Sequence, residues 1–227
     1  MGQRVAVVLS GCGRGDGSEI HESVSVLVHL SRRGLAYRCF APDAPQRDVI
    51  NHATGEPAPG ETRNQMVEAA RISRGDIAPL STLDVEAFDA LVFPGGYGAA
   101  KNLCDFALAG ADCRVEADVA RVLKGFHAKK KPIALCCIAP VLAAKVLGTK
   151  NAGPGCRVTI GRDEGTAKAI ASMGSTNVAM DATTSCVDQA NRIITTPAYM
   201  CDASPFEVFT GIGAMIDDLC AMLQSRA

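Results

Sequence analysis

Three runs in this chain, Arg4-Val5-Ala6-Val7-Val8-Leu9, Ala90-Leu91-Val92-Phe93 and Ile133-Ala134-Leu135-Cys136, are apolar at nearly every position. A strand with one wet face alternates apolar and polar residues. A strand without that alternation is covered on both faces. Each run ends in a turn rich in glycine, proline or cysteine, and helical spacing follows. Strands alternating with helices predict a mostly parallel sheet sandwiched between two helical layers.

The same reading predicts strands at 4–9, 35–40, 90–93, 133–136 and 157–160, with a β-hairpin from 186–188 and 192–196. Helices are expected at 19–33, 114–128, 139–147, 163–173 and 205–224. Ser18 is expected to cap the first, with Ile20, Val24, Leu27, Val28 and Leu30 on its inner side. Segment 46–77 carries Pro57, Pro59 and a helix at 61–71. It reads as an excursion at the edge of one domain spanning 1–227.

Composition excludes several alternatives. With net charge −1 and 48% apolar residues, the chain lacks the signature of disorder. It has no basic stripe for a nucleic acid. Its longest apolar run, 133–144, is broken by Pro140 and is shorter than the roughly 20 residues a membrane helix needs. Neither a nucleic-acid partner nor a membrane is expected. The ten cysteines include no Cys-x-x-Cys pair, the usual mark of a zinc or thioredoxin-like site. Most read as small buried apolar residues in a reducing compartment.

In parallel sheets, function gathers where strands end. Strand 133–136 runs into Cys136-Cys137-Ile138-Ala139-Pro140. Proline is tolerated in the first turn of a helix, which places the sharp turn at Cys137. A thiol at a helix N-terminus is biased toward thiolate. The turn therefore reads either as a nucleophile elbow with cysteine in place of serine or as two core cysteines at a strand end. Phe93-Pro94-Gly95-Gly96 is either a plain turn or half of an oxyanion hole, with the Ile138 amide as the other half. Loop 11–17 has no Gly-x-Gly-x-x-Gly placement for a dinucleotide. Beyond it, His21 and Glu22 suit a catalytic acid/base or an ordinary helix-start carboxylate. His29, His52 and His127 carry no signal, and Lys129, Lys130 and Lys131 read as a solvated helix end. All four histidines precede Cys137.

Taken together, Leu135-Cys136-Cys137-Ile138-Ala139-Pro140, Phe93-Pro94-Gly95-Gly96 and Ser18-Glu19-Ile20-His21-Glu22 resemble the class I glutamine amidotransferase-like superfamily in its PfpI-like branch. Asp48-Val49-Ile50-Asn51-His52, Glu61-Thr62-Arg63-Asn64, Glu68-Ala69-Ala70-Arg71-Ile72, Gly98-Ala99-Ala100-Lys101-Asn102-Leu103 and Thr195-Thr196-Pro197-Ala198-Tyr199-Met200 are similar to its ElbB group. That group's bacterial members are described as glyoxalases and its animal members as mitochondrial.

The resemblance implies a three-layer flavodoxin-like sandwich with Cys137 at the elbow. It implies Glu22 as the acid bonded to the thiol, and Gly95, Gly96 and Ile138 at the oxyanion positions. It also implies a homodimer, in the mitochondrial matrix after loss of a transit peptide or in the cytoplasm. Glutaminases of the superfamily use a histidine supplied after the nucleophile, and this chain has none there. Losing a general base costs about 10²–10⁴-fold in rate, so glutamine hydrolysis is not expected. The expected activity is a glyoxalase without cofactor or metal. Cys137 would add to a small aldehyde, and Glu22, with His21, would move the proton. A thiol-based redox sensor and a non-catalytic protein of amidotransferase-like shape are the alternatives.

Overall fold

Val5, Val7 and Leu9 lie in one core of the molecule and Ala6 and Val8 in another, and none of the five is exposed. Successive strand residues face opposite ways, so this single strand seeds both. The computed structural model describes residues 2–225. In chain order the strands are β1 (Arg4–Val8), β2 (Ala36–Ala41), β3 (Ile50–Asn51), β4 (Glu56–Pro57), β5 (Ile77–Pro79), β6 (Ala90–Phe93), β7 (Ile133–Cys136), β8 (Arg157–Val158), β9 (Thr176–Asn177), β10 (Cys186–Asp188) and β11 (Ile193–Thr196). The α-helices are α1 (Ile20–Arg32), α2 (Gln65–Ser73), α3 (Tyr97–Lys101), α4 (Phe106–Ala109), α5 (Ala117–Ala128), α6 (Pro140–Leu147), α7 (Glu164–Ser172) and α8 (Pro205–Gln224).

The main sheet has the order β10-β11-β7-β6-β1-β2-β5. All its pairings are parallel except β10 with β11, the expected hairpin. One face carries Val5, Val7, Val92, Ala134 and Ile194, clustered with Val26 and Leu30 of α1 and Ile212 and Ile216 of α8. The other carries Ala6, Val8, Leu91 and Phe93, clustered with Leu123 and Phe126 of α5 and Leu142 of α6. Each of the larger of these side chains contributes about 1.5–3 kcal/mol on burial. The α/β sandwich inferred from uninterrupted apolar strands is the fold observed.

Four details differ from expectation. The excursion forms the β3–β4 pair and α2, and then delivers β5 as the edge strand of the main sheet. Within it α2 begins at Gln65, not 61, because the Asn64 side chain accepts the Met66 and Val67 amides at 2.9 and 3.1 Å. Near residue 158 the expected strand is short, and β8 pairs with β9 outside the main sheet. Lys131 is buried, not solvated, and donates to the carbonyls of Val85 and Phe88 at 2.7 Å each.

Helix α1 is the largest departure. Ile20, Val24 and Val28 are each 44% exposed. The buried face is Glu22, Ser23, Ser25, Val26, His29 and Leu30. Polar groups can line a buried face when each finds a partner. The Ser23 hydroxyl donates to the Glu19 carbonyl at 2.6 Å, and His29 Nε2 lies 3.0 Å from the Phe209 carbonyl. The helix is capped by Glu19, not Ser18, whose hydroxyl accepts the Ser10 amide at 2.8 Å.

Candidate active site

Strand β7 ends at Cys136, and Cys137 turns the chain sharply with φ 59°. That left-handed conformation costs a side-chain-bearing residue on the order of 1–3 kcal/mol and persists only when neighbours enforce it. Here the Cys137 amide donates to the Thr196 carbonyl at 3.0 Å, and the Ala139 amide to the Cys136 carbonyl at 3.0 Å. Pro140 then opens α6. The elbow anticipated from Pro140 is therefore present, and of the two adjacent cysteines it selects Cys137. Cys136 points inward, fully buried, with its sulfur 3.7 Å from Glu22 Oε2.

The loop after β6 fits against this turn. A Cβ on Gly95 would stand 2.4 Å from Cys137 Cβ and 2.6 Å from Glu22 Oε2, so only glycine admits both neighbours. The Gly95 amide donates to Glu22 Oε2 at 2.9 Å. It is thus engaged in holding the carboxyl group and is not free for an oxyanion. The amides aimed at the Cys137 sulfur are those of Gly96 and Ile138.

Glu22 reaches this point from the inner face of α1, where it is fully buried. Burial, aided by the charge of Glu19, pushes its carboxyl up to about 7. Contacts with Cys137 and with the amides of Gly95 and Tyr199 oppose that rise. Its Oε1 has no well-directed hydrogen bond. Burial also pushes the Cys137 thiol well up, and the Glu22 charge adds to this. The helix N-terminus was expected to favour thiolate, but desolvation outweighs the pull of the Gly96 and Ile138 amides. A protonated Glu22 no longer repels a negative sulfur. Their contact places the two groups to pass one proton between them.

Cys137 opens onto a cavity of about 460 Å³. Ile138, Gly96, Arg14, Phe106 and Tyr199 share its wall. His21 is exposed and is not among the wall residues; its Nδ1 lies 2.7 Å from the Tyr199 hydroxyl. Tyr199 is the residue that sequence reasoning missed. It follows Ala198, another left-handed residue at φ 46°, and no local pattern announces that turn. The other histidines have structural partners. His52, for example, accepts the Gly15 amide at 3.0 Å and ties the excursion to loop 11–17. Among the described residues no three His, Cys, Asp or Glu side chains converge as a metal-binding set, and no helix is long and apolar enough to cross a membrane.

No protein-family model matches the chain. Individual relatives do. The human glutamine amidotransferase-like class 1 domain-containing protein 3, mitochondrial, is 50% identical over 222 residues, covering 94% of this chain and 81% of its own length. The rat ES1 protein homolog, mitochondrial, matches with the same figures. Their names agree with the expected mitochondrial location. A crystal structure of an isoprenoid biosynthesis protein with amidotransferase-like domain from Ehrlichia chaffeensis superposes with TM-score 0.90 at 37% identity, covering 97% of this chain and 99% of that one. A ThiJ/PfpI domain protein from Brachyspira murdochii shares the fold at TM-score 0.60 and 15% identity, with 99% of both chains covered. With half its residues identical to the human and rat proteins over nearly all its length, the chain belongs to the ES1 family of glutamine amidotransferase-like class 1 domain-containing proteins, on a ThiJ/PfpI-type fold.

Proposed function

We propose that the protein is a cofactor-independent glyoxalase of the ElbB type, converting glyoxal to glycolate through Cys137. The carrying observation is the contact between a buried carboxyl group and the one thiol that stands at an elbow beneath a cavity. The cavity admits a small aldehyde. As the Cys137 sulfur attacks one carbonyl carbon, its proton passes to Glu22, and the carbonyl electron pair moves to oxygen. The Gly96 and Ile138 amides are placed to stabilise that oxygen. Once that oxygen has taken up a proton and Glu22 has released the one it received, the carboxylate removes the proton from the hemithioacetal carbon, and a proton on the second carbonyl oxygen completes the enediol. Reprotonation at the other carbon leaves a hydroxyacetyl thioester, which water cleaves to glycolate and the free thiol. A carboxyl titrating near 7 suits both halves of such a transfer.

No histidine is among the residues lining the cavity, which supports excluding glutamine hydrolysis. In this reading the amidotransferase-like name describes a fold, not an activity. The test is glycolate formation from glyoxal at neutral pH by wild type and by Cys137→Ser. Repeated turnover in the wild type and none in the variant supports the reading. Equal inactivity of both sinks it.

A further inference from the structure

Glu22 is fully buried, and Cys137, 7% exposed, meets the outside through the cavity. Aldehyde addition places a proton on an oxygen inside the cavity, and hydrolysis must return one. Glu22 takes the thiol proton, so a separate donor for the oxygen lets both transfers accompany the one addition step. A group that touches both the cavity and the outside can be that donor.

We propose that Tyr199 is a catalytic proton donor and acceptor in the Cys137 cavity, and that exposed His21 is its positioning residue and its link to solvent. The inference rests on the glyoxalase reading and deepens it. Tyr199 lines the cavity, and its hydroxyl lies 2.7 Å from His21 Nδ1. The two rings lean together at 5.9 Å between centroids and 46° between planes. The backbone fixes the tyrosine from the other side. Left-handed Ala198 turns the chain, and the Tyr199 amide faces the Glu22 carboxyl group. His21 and Glu22 are adjacent in α1, one pointing out and one in. A single helical turn therefore reaches Tyr199 twice, at its hydroxyl through His21 and at its amide through Glu22.

Burial and the charges of Glu19 and Glu22 push the Tyr199 phenol up, which keeps it protonated and ready to donate. The balanced step is addition. The sulfur–carbon bond forms while the carbonyl π bond breaks, and its electron pair settles on oxygen. The Tyr199 proton moves to that oxygen. His21 Nδ1 returns a proton to the phenolate, and the ring later regains one from water. The thiol proton goes to the Glu22 carboxylate, which releases it to water entering the cavity and is then free to take the carbon proton. Thioester hydrolysis runs the relay in the opposite direction.

The experiment compares wild type, Tyr199→Phe and His21→Ala in two assays. One is the rate of glyoxal adduct formation on Cys137, followed by mass; the other is glycolate turnover. Tyr199→Phe keeps the ring and is expected to slow adduct formation and kcat about 100-fold, within the usual range for a lost general acid, with KM little changed. His21→Ala is expected to lose about tenfold and to be rescued by added imidazole, which a purely structural role would not allow. Imidazole is expected not to rescue Tyr199→Phe. If Tyr199→Phe fails to fold, imidazole rescue of His21→Ala decides. Wild-type turnover with Tyr199→Phe within twofold of it overturns the relay while leaving the glyoxalase reading intact, and failed imidazole rescue overturns the part given to His21. Adducts that form without glycolate, and more slowly in Tyr199→Phe, sink the glyoxalase reading and keep the relay. Absence of any wild-type adduct overturns both.

Discussion

Two pairs of cysteines stand in this fold, and the pair with the more favourable charge state is not the one at the cavity. Cys104 and Cys113 meet at the base of the loop bearing α4, 4% and 2% exposed. A hydrogen bond from Cys104 pulls the Cys113 thiol below its ordinary value, with help from the Lys145 charge, while Cys104 is pushed up in return. The thiols of Cys136 and Cys137 are both pushed up, by burial first and then by Glu22. Only Cys137 among these four lines the cavity. A depressed thiol without access does nothing. A raised thiol with access, a touching acid and two amides aimed at its sulfur has the parts of a nucleophile. A site is defined here by convergence more than by any single titration.

The contrast can be broken most sharply by exchanging the pairs' roles. Cys137→Ser is expected to abolish glycolate formation, whereas Cys113→Ser stays within about twofold of wild type, as changes away from the reacting groups usually do. Comparable losses in both would erase the distinction. Glu22→Gln comes next, with an expected fall in kcat of about 10²–10⁴-fold. It also has a stability signature of opposite sign. The Glu22 carboxyl is raised from 4.5 to about 7 on folding. Its contribution to wild-type stability is therefore complete below 4.5 and lost as pH rises through 7. Glu22→Gln escapes that loss, and denaturant unfolding is expected to show it gaining on the order of 3 kcal/mol over wild type between pH 4 and pH 8. A gap independent of pH would contradict a buried carboxyl titrating near 7.

Smaller effects sharpen the same comparison. Gly95→Ala forces a methyl group against Cys137 and Glu22 and is expected to cost about 1–3 kcal/mol in thermal or denaturant unfolding, as overpacking does. The mildest test is iodoacetamide labelling of the native protein, mapped by peptide mass. Cys137 should label faster with each step of pH up to 9 without levelling off, since its thiol lies above the ordinary range. Cys104 and Cys113 should label only in denaturant. Rapid labelling of Cys113 would put accessibility, and with it the contrast, in the wrong place.

The sheet and the elbow were legible because they rest on local signals. A strand without polar alternation is covered on both sides wherever it lies, and a proline in a first helical turn dates the turn before it. The inner face of α1 was not legible. Ile20, Val24 and Val28 are spaced as convincingly as Val26 and Leu30, and what settles the matter is that Glu22 and His29 find partners in distant segments while Ser23 bonds back to the helix cap. Tyr199 was hidden for the same reason. Its neighbours His21 and Glu22 are about 180 residues earlier in the chain, and the left-handed turn at Ala198 that aims it involves no glycine. Lys131 reads as one more surface lysine until the carbonyls of Val85 and Phe88 are folded over it.

The missing side chain at Gly95 has a consequence for how such a protein could diversify. Nucleophile, acid and loop backbone meet within one methyl group's radius there, so the packing behind the nucleophile tolerates little change. The front wall is under no such restraint. Phe106 and Ala107 come from a short helix, and Thr166 from the first turn of α7. Under the proposed glyoxalase reading, selection for a longer or more polar aldehyde can therefore explore the front while the back stays frozen. Lineages of this architecture should differ in appetite well before they differ in chemistry.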